Sequence, residues 1–351
     1  MNTTTPQRVF LTAAVLAAVI SVVFLLWMII VLGGPRLTDG VDDIGEGAAA
    51  LVASVACFVA ATRVPTRPSR WVLLGASAFS WAAGEAVWTY YDLIRGVQVP
   101  FPSLADVGFL TAVPLAVAGL LRFPSAPQRV ADRIEGILDG IIIAGSILFA
   151  SWVTVLGPLY SQHHGGILKQ TLSLAYPVSD VVMVSLVIIL FSRASHQGRG
   201  SLLLVMAGLA AFAVADSAFS YLTEVNSYGN GSFLDTGWVA GYLLIGLGAL
   251  RAVYAPSTEG AEAGLTPLSL VAPYVPVLGV LVVVAAEILI GHRLGEVSWI
   301  MVFALALLVL GRHLLIWRDQ VAFQRHHGND AQSTELGDPD DRPVFVGTES
   351  Q

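Results

Sequence analysis

The chain has 351 residues, of which 55% are hydrophobic and 12% charged, with a formal net charge of −7 and a mean hydropathy of +0.73. Soluble domains carry roughly a quarter charged residues, so this composition excludes a soluble enzyme, a nucleic-acid binder and a disordered scaffold. The negative balance is local, since residues 319–351 hold seven acids against Arg325 and Arg342, and the single Cys57 allows neither an internal disulfide nor a thiolate metal site.

A bilayer-spanning helix needs roughly 20 mostly apolar residues. Ten such runs follow one another at about 9–33, 44–62, 71–91, 103–122, 135–158, 172–192, 201–222, 233–254, 268–291 and 297–317. They predict an all-α polytopic membrane protein with a short N-terminus over 1–8, a ten-helix transmembrane domain over 9–317 and a tail over 318–351. The first run is uncharged for 24 residues from Val9 to Leu32 and no small-residue cleavage site follows, so it reads as a retained helix rather than a signal peptide. After the tenth run, Arg312 to His327 reads as an amphipathic extension. Residues 328–351, polar, acidic and proline-containing, read as disordered.

Orientation follows from the Lys/Arg bias. With the N-terminus in the cytoplasm, fourteen arginines lie on the cytoplasmic side and only Arg36, Arg95, Lys169 and Arg293 on the other. An even number of crossings in the plasma membrane, with both termini inside, is expected.

Two stretches resemble each other. One runs from Leu73 to Arg122 and the other from Val205 to Arg251; both read Ala-Phe, then two or three residues, then Ala-[Gly/Asp]-[Glu/Ser], an aromatic cluster, a polar loop, Ser-x-x-Asp, and an apolar helix ending in Leu-Arg. Glu85 lies close to Asp216 at an offset of 131, and Asp106 matches Asp235 at 129. Glu46 and Asp180 each open the preceding helix. Helices 1–4 (about 9–122) and 5–8 (about 135–254) are therefore expected to be parallel copies of one four-helix unit, with two extra helices over 268–317.

Acids inside a membrane are costly and call for a reason. Glu85 and Asp216 sit mid-helix, about 21 Å from the inner ends of helices 3 and 7 at 1.5 Å per residue. Asp106 and Asp235 open helices 4 and 8, Asp180 lies near the outer end of helix 6, and Glu287 near that of helix 9. All six fall toward the outer side, which suggests a cavity opening away from the cytoplasm. For Asp106 and Asp235 the plain alternative is helix capping, since Ser103-x-x-Asp106 and Ser232-x-x-Asp235 are capping boxes. Asp180 has a similar first-turn excuse. Glu85 and Asp216 have none, and serve either a polar cavity or an interhelical hydrogen bond.

Trp81, Glu85 and Trp88 are spaced i, i+4, i+7 and share one helix face. With Tyr221 and Trp238 they could ring a carboxylate around a cationic or amphipathic ligand, or simply sit at the membrane interface. Asp139, near the inner face, is expected to snorkel or to pair with an arginine such as Arg133. His163 and His164 lie in an outer loop, His292 follows helix 9, and His313 stands near the inner end of helix 10. There is no His-x3-His, Walker or Gly-x-Ser-x-Gly pattern, so no metal site, cofactor or catalytic residue is expected.

Gly84-Glu85-Ala-Val-Trp88, Pro102-Ser103-Leu-Ala-Asp106-Val-Gly-Phe109-Leu110 and the exit helix with Arg312-His-Leu-Leu resemble the multi-pass membrane input region ahead of diguanylate cyclase and phosphodiesterase domains in some actinobacterial signalling proteins. The resemblance spans about 9–325. It implies a sensor that reads a small molecule, a lipid or the state of the bilayer and signals to a cytoplasmic partner through the C-terminal helix. The chain departs from that pattern in lacking a Gly-Gly-Asp-Glu-Phe domain, so a stand-alone module without nucleotide chemistry is expected. The alternative is a proton- or cation-coupled secondary transporter. A lipid-directed enzyme comes third, without a recognisable nucleophile–base pair.

Overall fold

The computed structural model describes residues 5–123, 130–157, 160, 166–193, 199–224, 231–254, 274–291 and 293–335, with the side chains at 130–135, 191–193, 199, 220–221, 223–224 and 319–335 outside the description. The described residues form ten α-helices and no strand. They are α1 (Thr5–Ile30), α2 (Pro35–Arg63), α3 (Ser69–Thr89), α4 (Leu104–Leu120), α5 (Val130–Ser151), α6 (Gly166–Arg193), α7 (Arg199–Glu224), α8 (Thr236–Tyr254), α9 (Tyr274–Ile290) and α10 (Glu296–Glu335). Seven segments, in α1, α2, α5, α6, α7, α8 and α10, are long and apolar enough to cross a bilayer. α4 and α9 are shorter apolar helices of 17 residues. α3 has 21 residues and buries Ser77 and Glu85 along with its apolar face.

The helices follow the apolar runs within a few residues, with two larger departures. α2 starts at Pro35 rather than near 44. Gly33 and Gly34, both at positive φ (85° and 92°), turn the chain, and proline suits the first helical position because its missing N–H has no helical acceptor there. The acidic stretch after it is thus the first part of a helix. α10 continues to Glu335, so 328–335 is helical rather than disordered, while 336–351 lies outside the described residues.

Six helices close a ring. α2 packs on α3, α3 on α4, α4 on α6, α6 on α7, α7 on α8, and α8 back on α2. Small residues permit the tightest seams, as is usual where helices meet without large side chains between them. A Cβ on Gly108 of α4 would lie 2.6 Å from the Gly84 Cα of α3, and one on Gly208 of α7 would lie 2.5 Å from the Gly241 carbonyl of α8. Hydroxyls tie the same seams: Ser77 donates to the Ala112 carbonyl (2.7 Å), Ser80 to the Gly108 carbonyl (2.9 Å) and Ser54 to the Gly75 carbonyl (2.9 Å).

Toward one end the ring is filled. Each of its helices contributes a buried apolar residue to one continuous core there: Ala60, Trp71, Leu120, Leu190, Leu202 and Ala249. The remaining helices stand outside. α1 packs on α8 and α2, α5 on α6, and α9 and α10 on α5. α1, uncharged from Val9 onward, exposes most of its surface, including Val15, Leu16, Ile20 and Ile29. α5, α9 and α10 share a small core of Phe149, Val280 and Leu305.

Candidate functional site

The ring encloses a cavity of about 980 Å³, with walls supplied by all six of its helices. It reaches exposed Gln98 and Lys169 at one end, where α3 finishes and α2, α4, α6 and α8 begin, and runs inward to Leu74, Ala116 and Ile245. Beyond those residues lies the apolar core just described. Among the described residues, nine acids line the cavity (Asp39, Asp42, Asp43, Glu46, Glu85, Asp92, Asp106, Asp180 and Asp216) against one base, Lys169.

The sequence explains how each acid arrives there. On α2, Asp42 and Glu46 are four apart and so face the same way. A Cβ on Gly47 would lie 3.4 Å from the Glu85 Cγ, so the missing side chain lets α3 bring Glu85 close to α2. A π-helical turn over Tyr90–Ile94 extends α3 and carries Asp92 to the mouth. On α6, Tyr176 and Asp180 repeat the four-residue spacing. Pro177 removes the donor that would have closed on the Ser173 carbonyl, and Ser173 also lines the cavity.

Asp106 and Asp235 are both capping residues. Asp106 Oδ2 accepts from the Ser103 N–H (2.7 Å) while Ser103 Oγ accepts from the Ala105 N–H (3.2 Å). Asp235 Oδ2 accepts from the Ser232 N–H (2.7 Å) and Ser232 Oγ from the Leu234 N–H (3.4 Å), here opening a short 3-10 turn, Phe233–Asp235, ahead of α8. Each carboxylate also reaches across the ring. The Tyr176 hydroxyl of α6 donates to Asp106 Oδ1 at 2.5 Å. Asp235 stands beside Asp42 of α2, whose Oδ2 accepts from the Gly231 N–H at 2.8 Å. Asp180 and Asp216 likewise stand side by side, and Trp238 Nε1 donates to Asp216 Oδ1 at 2.7 Å.

The wall between these groups is aromatic. Trp81 contacts Phe109, Phe212 and Tyr242 at ring separations of 5.2, 5.7 and 5.0 Å, and Phe219 meets Trp238 at 5.8 Å. Trp81, Glu85 and Trp88 all line the cavity. The acids and rings can together surround a positively charged group with carboxylates at its side and ring faces against its apolar part.

Of the residues singled out from sequence, Glu85, Asp216, Asp106, Asp180, Trp81, Trp88 and Trp238 line this one cavity, and Asp235 stands at its edge beside Asp42. The side chain of Tyr221 lies outside the described residues, as do His163, His164 and His292. Glu287 on α9 is not part of the cavity wall. Asp139 pairs with Arg312 of α10, and the side chain of Arg133 lies outside the described residues; the Arg312 guanidinium also donates to the Tyr274 hydroxyl at 2.6 Å. His313 contacts the Tyr274 hydroxyl through Nε2 at 3.3 Å. Sequence reasoning missed Asp39, Asp42, Asp43 and Tyr176. The available signal was Gly-Gly-Pro35 as a helix start, which places Asp42 and Glu46 on one face.

No protein-family profile, curated protein or solved structure matches this chain.

Proposed function

We propose that this chain is a non-enzymatic membrane sensor that binds a cationic or amphipathic small molecule in the ring cavity from the face opposite its termini. All ten helices would then lie in the bilayer, with both termini cytoplasmic as the arginine bias directs. The observation that carries this reading is the cavity itself: nine acids and an aromatic wall, open at one end and backed by an apolar core at the other. Apolar helices such as α1 that expose most of their surface need a nonpolar solvent.

The arrangement of α1–α4 and α5–α8 as two copies is supported by seam contacts at constant offsets. Ser80, Gly84 and Gly108 meet as do Ala211, Ala215 and Gly237. Arg70, Leu74 and Gly119 meet as do Ser201, Val205 and Gly248. The offsets are 131 between α3 and α7 and 129 between α4 and α8. The acids follow the same relation, with Asp42/Glu46 of α2 answering Tyr176/Asp180 of α6. Asp106 then reaches Tyr176 just as Asp235 reaches Asp42. Such an exchange is what a two-fold axis through the cavity produces.

A route to the exit helix is present in the packing. α6 forms part of the cavity wall and packs on α5, and α5 is tied to α10 by Asp139–Arg312. This fits the multi-pass input regions that the Glu85, Asp106 and Arg312 motifs resemble, with α10 handing the change to a cytoplasmic partner. A second reading, cation-coupled transport, is favoured by the acid pairs in both halves, Glu46 beside Glu85 and Asp180 beside Asp216. It requires the apolar core to open toward the termini.

The first test uses benzyltrimethylammonium as the probe and neopentylbenzene as its neutral isostere, with intrinsic tryptophan fluorescence of the nanodisc-embedded chain as readout. Saturable change with the cation alone, lost in Glu85→Gln, is expected. Equal response to both compounds would remove the role assigned to the acids.

A further inference from the structure

We propose that Asp42, Glu46 and Asp235 form a binding site for a hard divalent cation, best matched by Ca2+, at the seam where α8 meets α2. Each of the three residues offers one carboxylate oxygen, and these oxygens all lie within 4.8 Å of one another. Three protein carboxylates on one ion suit Ca2+, whereas Mg2+ dehydrates reluctantly and is usually held by only one or two. The donors are all oxygen, without His or Cys, which selects against zinc and copper.

Unsatisfied atoms point the same way. Asp42 is 4%, Glu46 5% and Asp235 0% exposed. Asp42 Oδ1 and Glu46 Oε1 are buried without a hydrogen-bond partner. So is Oγ1 of Thr38, 2% exposed and one turn before Asp42 on the same helix face. Native buried carboxylates are paired, hydrogen-bonded or metal-bound. The second oxygen of two members is already held by backbone, Asp42 by the Gly231 N–H and Asp235 by the Ser232 N–H, at 2.8 and 2.7 Å. Those bonds fix the two carboxylates, while Asp42 Oδ1 and Glu46 Oε1 keep no hydrogen-bond partner. The three carboxylates supply the protein ligands. Water from the cavity, which Asp42 and Glu46 line, can complete the six to eight that Ca2+ takes.

The cation would bridge α2 of the first four-helix unit to the start of α8 of the second. At the other seam, the place of Asp42 is taken by Tyr176, which already donates to Asp106. A hydroxyl donor closes that seam without an ion, whereas an acid in the same place adds a third carboxylate at the other seam. The two halves therefore differ in one residue and in their need for a cation.

The test is equilibrium binding of radioactive calcium to the full chain in nanodiscs, in excess Na+ and Mg2+, with chelator-stripped protein as the start. One saturable Ca2+ per chain is expected. Asp235→Asn and Glu46→Gln should each weaken it on the order of tenfold or more, and Asp180→Asn and Asp43→Asn should leave it unchanged. Glu46→Gln, isosteric with the native residue, decides the matter if Asp235→Asn does not fold. The proposal is overturned if wild type takes up no Ca2+ under these conditions. It is equally overturned if uptake survives both substitutions, or if Asp43→Asn alone abolishes it. Because calcium uptake is read directly, failure of the cavity to bind benzyltrimethylammonium does not alter the result.

Discussion

Asp106 and Asp235 each serve two structural purposes with two oxygens, one capping a helix start and one reaching another helix of the ring. Loss of the Tyr176 hydroxyl removes the second purpose of Asp106 while leaving its cap in place. Tyr176→Phe should therefore lower stability by about 1–2 kcal/mol, the range for side-chain hydrogen bonds between apolar helices. Ser103→Ala, which removes the cap acceptor instead, should cost about 1 kcal/mol. Unfolding midpoints in mixed micelles would check both, and an unchanged midpoint for Tyr176→Phe would show that the bond across the ring contributes nothing. The capping role was legible in Ser-x-x-Asp, because that chemistry is local. The bond to Tyr176 was not, because its partner lies 70 residues away. Asp42 escaped notice for a different reason: hydropathy counts treat an acid-rich stretch as a loop, and here that stretch is the buried start of α2.

At the scale of elements, the seams depend on residues that are small. A Cβ on Gly108 would approach the Gly84 Cα and N at 2.6 Å and the Ser80 carbonyl at 2.7 Å. These are backbone atoms and cannot rotate away. Gly108→Ala should cost about 2 kcal/mol or more, as overpacked cores do. Gly279 of α9 meets nothing within 4 Å, so Gly279→Ala should be neutral or gain up to about 1 kcal/mol of helix propensity. Comparable losses at both sites, measured by the same unfolding assay, would mean the α3–α4 seam is looser than described. The ten helices could be found from apolar runs because lipid-facing and core-facing residues are both apolar. For the same reason, those runs say nothing about which face turns inward. Only the glycine positions and the rare acids carry that information, and the matched offsets of 131 and 129 hinted at it before the seams were known.

For the molecule as a whole, α5 is what ties α10 to the ring. Arg312 is buried and forms its ion pair with Asp139, which is 23% exposed on the side-chain scale. Arg312→Leu should cost about 3 kcal/mol, the low end for breaking a buried pair because Asp139 retains some exposure. The double variant Asp139→Leu with Arg312→Leu should recover most of that loss. If it recovers none, the pair is not what joins α10 to α5. The sequence foretold an arginine partner for Asp139 but pointed to Arg133 nearby, since pairing between helices 173 residues apart leaves no local trace. The ring closure, with α8 meeting α2, was equally invisible, as it depends on contacts between distant parts of the chain.

One-sided access to the cavity is best tested by cysteine labelling in a Cys57→Ala background. Ala112 lines the cavity and is 6% exposed, so Ala112→Cys reports on its interior. A membrane-impermeant thiol reagent should label it only from the face opposite the chain termini, and benzyltrimethylammonium should slow that labelling. Labelling from both faces would contradict a sensor with a sealed inner end and favour alternating access.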